Sequence, residues 1–319
     1  MARLRVLALA GGVGGAKLAA GLAHLLGERL TVLVNTGDDF EHMGLHISPD
    51  LDTVMYTLAG IANPETGWGI AGESWTVMDQ VGRLGGPTWF RLGDRDLATH
   101  AVRTERLNRG ETLTAITADL CRSLGVRSTV LPMSDDRVRT IVHSDGQTLA
   151  FQDYFVRLKC AVPVSKVSFD GAASARFNTS IEGLHRSADP LAVIICPSNP
   201  YLSIDPILAL PGLREWLRSA GAAVIAVSPI VGGAAVKGPA AKIMRELGLE
   251  PSAAAVGRHY ASLIDGFVLD VVDAFSAEEI SASGMTVRST QTVMRGTADR
   301  IKLAGDCLAF VEDLLQREA

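Results

Sequence analysis

The sequence is poor in the features that mark disulfide scaffolds, membrane proteins and nucleic-acid binders. It holds four cysteines in 319 residues. Cys121, Cys160, Cys196 and Cys307 form no CxxC pair, which excludes a zinc ribbon or a dithiol redox motif. Free thiols in a reducing compartment are expected instead. No stretch reaches the roughly 18 uninterrupted apolar residues of a membrane helix. The apolar run Val6–Ala10, ended by glycines, is too short for the core of a signal peptide, so a cytoplasmic protein is predicted. Aromatics make up only 5% of the chain, and 30 Lys and Arg face 35 Asp and Glu for a net charge of −5. Nucleic-acid partners need a basic face and are excluded. Anionic small molecules are not, because a helix N-terminus binds phosphate on an acidic protein.

What is present is an ordinary globular composition, 47% apolar, long enough for a substantial core. Leu4–Ala10, Ala16–Leu26 and Leu30–Asn35 read as strand, helix and strand. From Trp68 to Leu124 no strand pattern occurs. Helix-length segments fill that stretch, including Asp94–Leu107 and Thr112–Leu124, each closed by a nearby glycine. Strands resume at STVLPM near Ser128, then at Val138–His143, Thr148–Val156 and Val164–Phe169. A helix is predicted around Arg176–His185, followed by the strand LAVIIC, a helix ending near Ser219, the strand AAVIAV, a strand at Gly266–Asp270 and a closing helix over Thr297–Gln316. Fully apolar strands alternating with helices predict a parallel sheet covered on both faces. The expected fold is therefore α/β, a Rossmann-like, mostly parallel sheet. Residues 1–319 read as one unit, interrupted by a mostly helical insertion at about 65–125, with no repeat and no linker to divide it.

The strongest local signal is LALAGGVGGAKLAAGL, with Gly11, Gly12, Gly14 and Gly15 between the first strand and the first helix. Such a turn lets backbone amides and a helix N-terminus meet an anion; the alternative is a purely structural tight turn. Neither standard fingerprint is complete. A Walker loop needs Gly-Lys-Ser/Thr where this chain has Ala16-Lys17-Leu18, and GxGxxG starting at Gly12 is broken at Lys17. At the end of the second strand, NTGDDFEHMGLHISPDLDTV carries Asp38, Asp39, Asp50 and Asp52 at the ligand edge of the sheet. Ser48-Pro49-Asp50 reads as the cap and first residues of a helix ending at Gly60. Asp50 and Asp52 are then either dipole-complementing residues or, with Asp38 and Asp39, hard oxygen ligands for magnesium beside phosphate. His42 and His46 lack the further ligands of a zinc site and are read as loop residues. Ser198 and Asn199 follow one apolar strand, and Ser228, Gly232, Gly233 and Lys237 follow the next. They suit nucleotide recognition or turn chemistry. Arg91 and Arg95 are candidate anion clamps.

Together GGVGGAKL, NTGDD, SPDLDTV, WFRLGDRDLATH, PMSDD, FQDYFV, CPSNPYLSIDPIL and SPIVGGAAVKGPA resemble the 2-phospho-L-lactate transferase family of deazaflavin coenzyme F-420 biosynthesis. The resemblance runs in consistent order from Leu7 to about Asp273. It implies a Rossmann-like core with a helical insertion, often homodimeric. The implied reaction moves a phospho-acid unit (phospholactyl, enolpyruvyl phosphate or phosphoglyceryl) from its guanosine diphosphate adduct to the ribityl hydroxyl of the deazaflavin Fo. GMP is released, and magnesium is required. Asp50 in SPDLDTV matches the family's Fo-contacting aspartate. Arg91 stands where the family's WFKLGD pattern has lysine, also at the Fo site. Gly11, Gly12, Gly14, Gly15, Lys17, Ser198, Asn199 and Ser228 fall on the nucleotide diphosphate side. Asp50, Asp38 and Asp39 are the expected catalytic and magnesium-holding residues. Two other readings are a non-catalytic nucleotide-binding regulator on the same scaffold and an NAD-dependent dehydrogenase, the latter weakened by the broken GxGxxG.

Overall fold

The structure is a computed structural model that describes residues 4–186 and 189–318. Its apolar runs assemble a seven-stranded sheet from β1 (Arg5–Ala10), β2 (Leu30–Val34), β3 (Thr129–Pro132), β4 (Leu191–Ile195), β5 (Ala223–Val227), β6 (Gly266–Asp270) and β7 (Thr286–Thr290). The spatial order is β7-β6-β5-β4-β1-β2-β3, and every neighbouring pair is parallel. Strands covered on both faces have no polar side, which is why β1, β2, β4, β5 and β6 read as continuous apolar runs. The pleat divides them: Leu7, Leu9, Leu33, Val193 and Ile195 enter one core, while Val6, Ala8, Ala10, Val32, Val34 and Ile194 enter the other. Each fully buried Leu or Ile side chain contributes about 1.5 to 3 kcal/mol. Strand order reverses between β1 and β4. A crevice opens there at the carboxyl ends of the strands, the usual ligand position in this architecture.

The second core is roofed by α1 (Gly12–Leu26), α2 (Pro49–Leu58) and the closing helix Thr297–Glu318. α1 and the closing helix approach until a Cβ on Gly21 would collide with the Arg300 carbonyl. Between α2 and β3 lie α3 (Thr76–Arg83), α4 (Asp94–Asn108) and α5 (Leu113–Ser123), with only an isolated bridge, Ala62 to Ile70, among the described residues there. No helix among the described residues is long and apolar enough to cross a membrane.

Several local readings change. The helix predicted around Arg176–His185 is instead a set of short 3-10 turns, Ala172–Ser174, Thr179–Ile181 and Leu184–Arg186. Asn178 competes with regular helix there: its side chain accepts from Ser180 N and donates to the Pro132 carbonyl. The strand predicted to run to Val156 stops at Ala150, because Gln152 turns inward and donates to the Asp38 carbonyl at 3.1 Å. It pairs with Arg139–Ser144, whose other edge takes Lys166–Asp170, in a separate three-stranded antiparallel sheet. A hairpin of Phe40–His42 and Leu45–Ile47 turns through Met43 and Gly44, both at positive φ. β7 went unread because TVRST has little apolar content.

Candidate functional site

The loops that follow β1 and β4 meet at the switch point and are locked together. Ser198 Oγ accepts from Gly11 N at 3.1 Å and donates to the Gly11 carbonyl at 2.8 Å. A Cβ on Gly14 would strike the Pro197 carbonyl, one on Gly15 would strike Ser198 Oγ, and one on Gly11 would strike Asp50 and Ser203. Those three glycines are accounted for by loop against loop rather than loop against ligand. Gly12, at φ +61°, needs glycine for its backbone, and its amide donates to Asp50 Oδ1 at 2.7 Å. The next amides, Val13 and Gly14, lie in the first turn of α1 and have no intrahelical carbonyl to reach. No acidic side chain occupies that turn. One turn on, Lys17 donates to the Met294 carbonyl at 3.0 Å. Burial, then the charges of Arg300 and Lys237, hold its ammonium below the ordinary lysine range. Lys237 itself donates to the Thr66 carbonyl at 2.6 Å and shares Gly67 as a neighbour with Val13. The open end of α1 is thus flanked by lysines, with Asp50 on the Gly12 amide and no acidic residue of its own first turn.

Facing it are three buried carboxylates, Asp38, Asp39 and Asp50. Asp50 sits at the second position of α2, its Oδ2 accepting from Asn35 Nδ2 at 3.0 Å. Asp39 Oδ2 accepts from Ser48 Oγ at 2.8 Å and lies 3.1 Å from His46 Nε2. Ser48 therefore spends its hydroxyl on Asp39 and not on capping α2. Asp38 Oδ1 and Asp39 Oδ1 are buried with no hydrogen-bond partner. Burial pushes the Asp38 carboxyl well above its usual range, and the charges of Asp50 and Asp39 add to the rise. Burial likewise pushes Asp50 up to about 6, against the pull of its hydrogen bonds from Asn35 and Gly12. Arg139, from the antiparallel sheet, feels the attraction of Asp39 and Glu41, but burial still lowers its pKa. Asn35 and Arg139 were not read from the sequence as site residues. Asn35 stands directly after β2, the one signal that could have found it.

Asp52, one helical step from Asp50, is spent on the fold. Arg103 Nη1 donates to its Oδ2 at 3.0 Å, and Nη2 pairs with its Oδ1. His100 Nδ1 lies 3.6 Å from it, and the network continues through Asp96 to the Tyr56 hydroxyl. Asp52, Asp96 and His100 are close enough together to hold a metal, but Asp52 is already paired with the Arg103 guanidinium and Asp96 with Tyr56 and His100. Ser228 closes its own turn, donating to the Ile230 carbonyl and accepting from Ile230 N. Asn199 caps the turn Pro200–Ile204 through Tyr201 N and Leu202 N. Arg91 is exposed, stacked 4.2 Å over the Trp75 ring, and Arg95 donates to the Ala71 carbonyl; neither bonds the acidic cluster. His42 packs edge-on against Trp89 and Phe90, apart from His46.

A parallel sheet with this strand order, with a glycine turn and carboxylates at its switch point, defines a Rossmann-like α/β protein with its candidate site at the usual ligand position of that fold. Comparison with known proteins narrows the class. The family described as 2-phospho-L-lactate transferase CofD matches residues 6–301, and the chain belongs to that family. It is 43% identical over 318 residues to the phosphoenolpyruvate transferase of Streptomyces griseus, covering 98% of this chain and 99% of that protein. It is 38% identical over 332 residues to the phosphoenolpyruvate transferase of Mycobacterium tuberculosis, covering 97% and 100%. Among solved structures, a UPF0052 family member from Bacillus halodurans aligns with a TM-score of 0.62 at 15% identity, covering 97% of this chain and 99% of that one, a likeness of fold. The chain is thus an enzyme of transferase type.

Proposed function

We propose that this transferase acts in coenzyme F-420 biosynthesis, moving an enolpyruvyl phosphate unit from its guanosine diphosphate adduct to the primary ribityl hydroxyl of Fo. Three acids suit the sequence, and relatives named phosphoenolpyruvate transferases favour the enolpyruvyl unit. The observation that carries the reading is the pairing of a lysine-flanked helix N-terminus, whose Gly12 amide holds Asp50 and whose next amides have no acidic side chain of their own turn, with a buried trio of carboxylates at one sheet edge. The diphosphate belongs at the first side, where Val13 and Gly14 amides, Lys17 and Lys237 supply positive potential. The trio suits magnesium: Asp38 Oδ1 and Asp39 Oδ1 are buried without a partner, and hard carboxylate oxygens are its preferred protein ligands. Asp50, Asp38 and Asp39 would hold the ion, which when bound neutralises diphosphate charge and eases departure of GMP.

The ribityl oxygen attacks the phosphorus that carries the acid, and the bond from that phosphorus to the bridging oxygen of GMP breaks. Such transfer needs in-line positioning and charge neutralisation more than a covalent protein intermediate. With Asp38 and Asp39 assigned to the ion, no side chain is assigned as base for the hydroxyl proton, and positioning and charge neutralisation carry the step. Asp50 positions the hydroxyl or the ion. Arg91 on its exposed loop is assigned to Fo. Assembly as a homodimer, action of residues 1–319 as one unit and a cytoplasmic location belong to the same proposal.

The test is mass spectrometry of products from Fo, magnesium and each of the three guanylylated acids. The expected outcome is enolpyruvyl product and GMP in equal amounts, abolished by EDTA. No product with any acid would refute the transfer. Product with phospholactyl alone would refute the choice of acid.

A further inference from the structure

We propose that Asn35 is a positioning residue that fixes the Asp50 carboxylate against the glycine turn and ties its orientation to the loop after β4. The proposal rests on the transfer reaction above. Asn35 is the first residue after β2, and its backbone N–H still pairs with the Ala10 carbonyl. Its side chain is fully buried and uses both amide donors and its oxygen. Nδ2 donates to Asp50 Oδ2 at 3.0 Å and to the Leu202 carbonyl at 3.3 Å, while Oδ1 accepts from Gly37 N at 2.8 Å. One side chain thereby joins the end of β2, the start of α2 and the Pro200–Ile204 turn.

The residue type is specific to this task. A side-chain amide offers two donors and an acceptor in one plane. Aspartate has only acceptors and would set a fourth carboxylate against Asp50, and leucine would leave Gly37 N, the Leu202 carbonyl and Asp50 without their bonds. A cation would orient Asp50 as well, but it would also neutralise it and compete with any metal or hydroxyl. A neutral amide aims the carboxylate and leaves its charge free. The second donor matters equally. Leu202 belongs to the turn capped by Asn199, and its neighbour Ser203 lies where a Cβ on Gly11 would fall. Movement of the donor-side loop is therefore passed to Asp50 through Asn35.

The experiment is a double-mutant cycle on the full chain, with crystal structures of the variants. Asn35→Ala should lower kcat at least about 30-fold at saturating magnesium and Fo. Its KM for the guanylylated donor should stay within about threefold. In an Asp50→Asn background the same change should cost at least about threefold less than in the parent, because the part that acts through Asp50 is not additive and only the contact of Asn35 with Asp38 remains. The Asn35→Ala structure should show the Asp50 carboxylate off the Gly12 amide. Asn35→Ser, which keeps one donor, takes its place if Asn35→Ala does not fold. Losses that multiply in the double variant, or an Asp50 carboxylate unmoved in the structure, would overturn the proposal. A parent chain without turnover would fail the transfer reaction instead, and the Asp50 position in the variant structure would then decide the role of Asn35 alone.

Discussion

Replacing Asp50 by asparagine should stabilise the protein at neutral pH while removing its activity. Its place in the first turn of α2 would by itself predict the opposite, a loss of about 0.3 to 1 kcal/mol of helix-dipole energy. Burial reverses the sign. The Asp50 carboxyl rises from the ordinary 3.8 to about 6, so the folded state binds its proton more tightly than the unfolded state does. Stability is then highest below the unfolded value and falls as pH climbs through the window from about 4 to about 6. At about 1.4 kcal/mol for each tenfold change in proton affinity, ionising Asp50 costs the fold about 3 kcal/mol above that window. Asparagine carries no such cost. Below the window protonated Asp50 is itself amide-like: its hydroxyl, like the Nδ2 of asparagine, faces one of the two donors Gly12 N and Asn35 Nδ2 and leaves one bond unmade, so the two proteins carry the same mismatch and should then match closely. The stability advantage of Asp50→Asn should grow by about 2 kcal/mol between pH 4 and pH 7.5. Urea unfolding in EDTA, followed by tryptophan fluorescence, measures it. An advantage that is flat with pH, or that shrinks as pH rises, would refute the reasoning. Turnover should fall at least about 100-fold.

Two further outcomes follow from packing. Arg103→Met leaves Asp52 buried without its cation and should cost about 3 to 5 kcal/mol by calorimetry, while Asp52→Asn with Arg103→Met should recover most of it; a single variant within 1 kcal/mol of the parent would contradict the buried pair. Gly14→Ala sets a methyl against the Pro197 carbonyl and should lower stability and donor affinity together, by about 1 to 3 kcal/mol in stability. Unchanged stability would show that the two loops part freely.

The central sheet was legible because burial on both faces writes itself as unbroken apolar runs, and β1, β2, β4, β5 and β6 all carry them. β7 and the turns near Asn178 were not, since one has little apolar content and the others are set by side-chain bonds to distant carbonyls. The site was legible as a neighbourhood. Strand-end logic placed the glycine turn, Asp38, Asp39 and Ser198 at one edge. It could not say what each group bonds: Ser198 and Gly14 serve the joint between loops, and Ser228 serves its own turn. Asn35 stands at a strand end and opens NTGDD, but a neutral side chain beside two aspartates does not announce that it aims a third, Asp50, from α2.

The contrast between Asp50 and Asp52 shows what separates a carboxylate of the fold from one kept for a ligand. Both lie in the first turn of α2 and both are buried. Asp52 is given a cation, Arg103, and one further partner, His100, so its charge is paired within the chain. Asp50 is given only neutral donors, the Gly12 amide and the Asn35 side chain. Asp38 and Asp39 each retain a buried oxygen with nothing bound to it. A fold selected for stability alone would not hold three carboxylates in this way, since an unpaired buried charge costs several kcal/mol. Their cost is offset by the surrounding core. A proton can neutralise such a carboxyl in the empty site; under the proposed reading, the ion takes the place of that proton when the substrates bind.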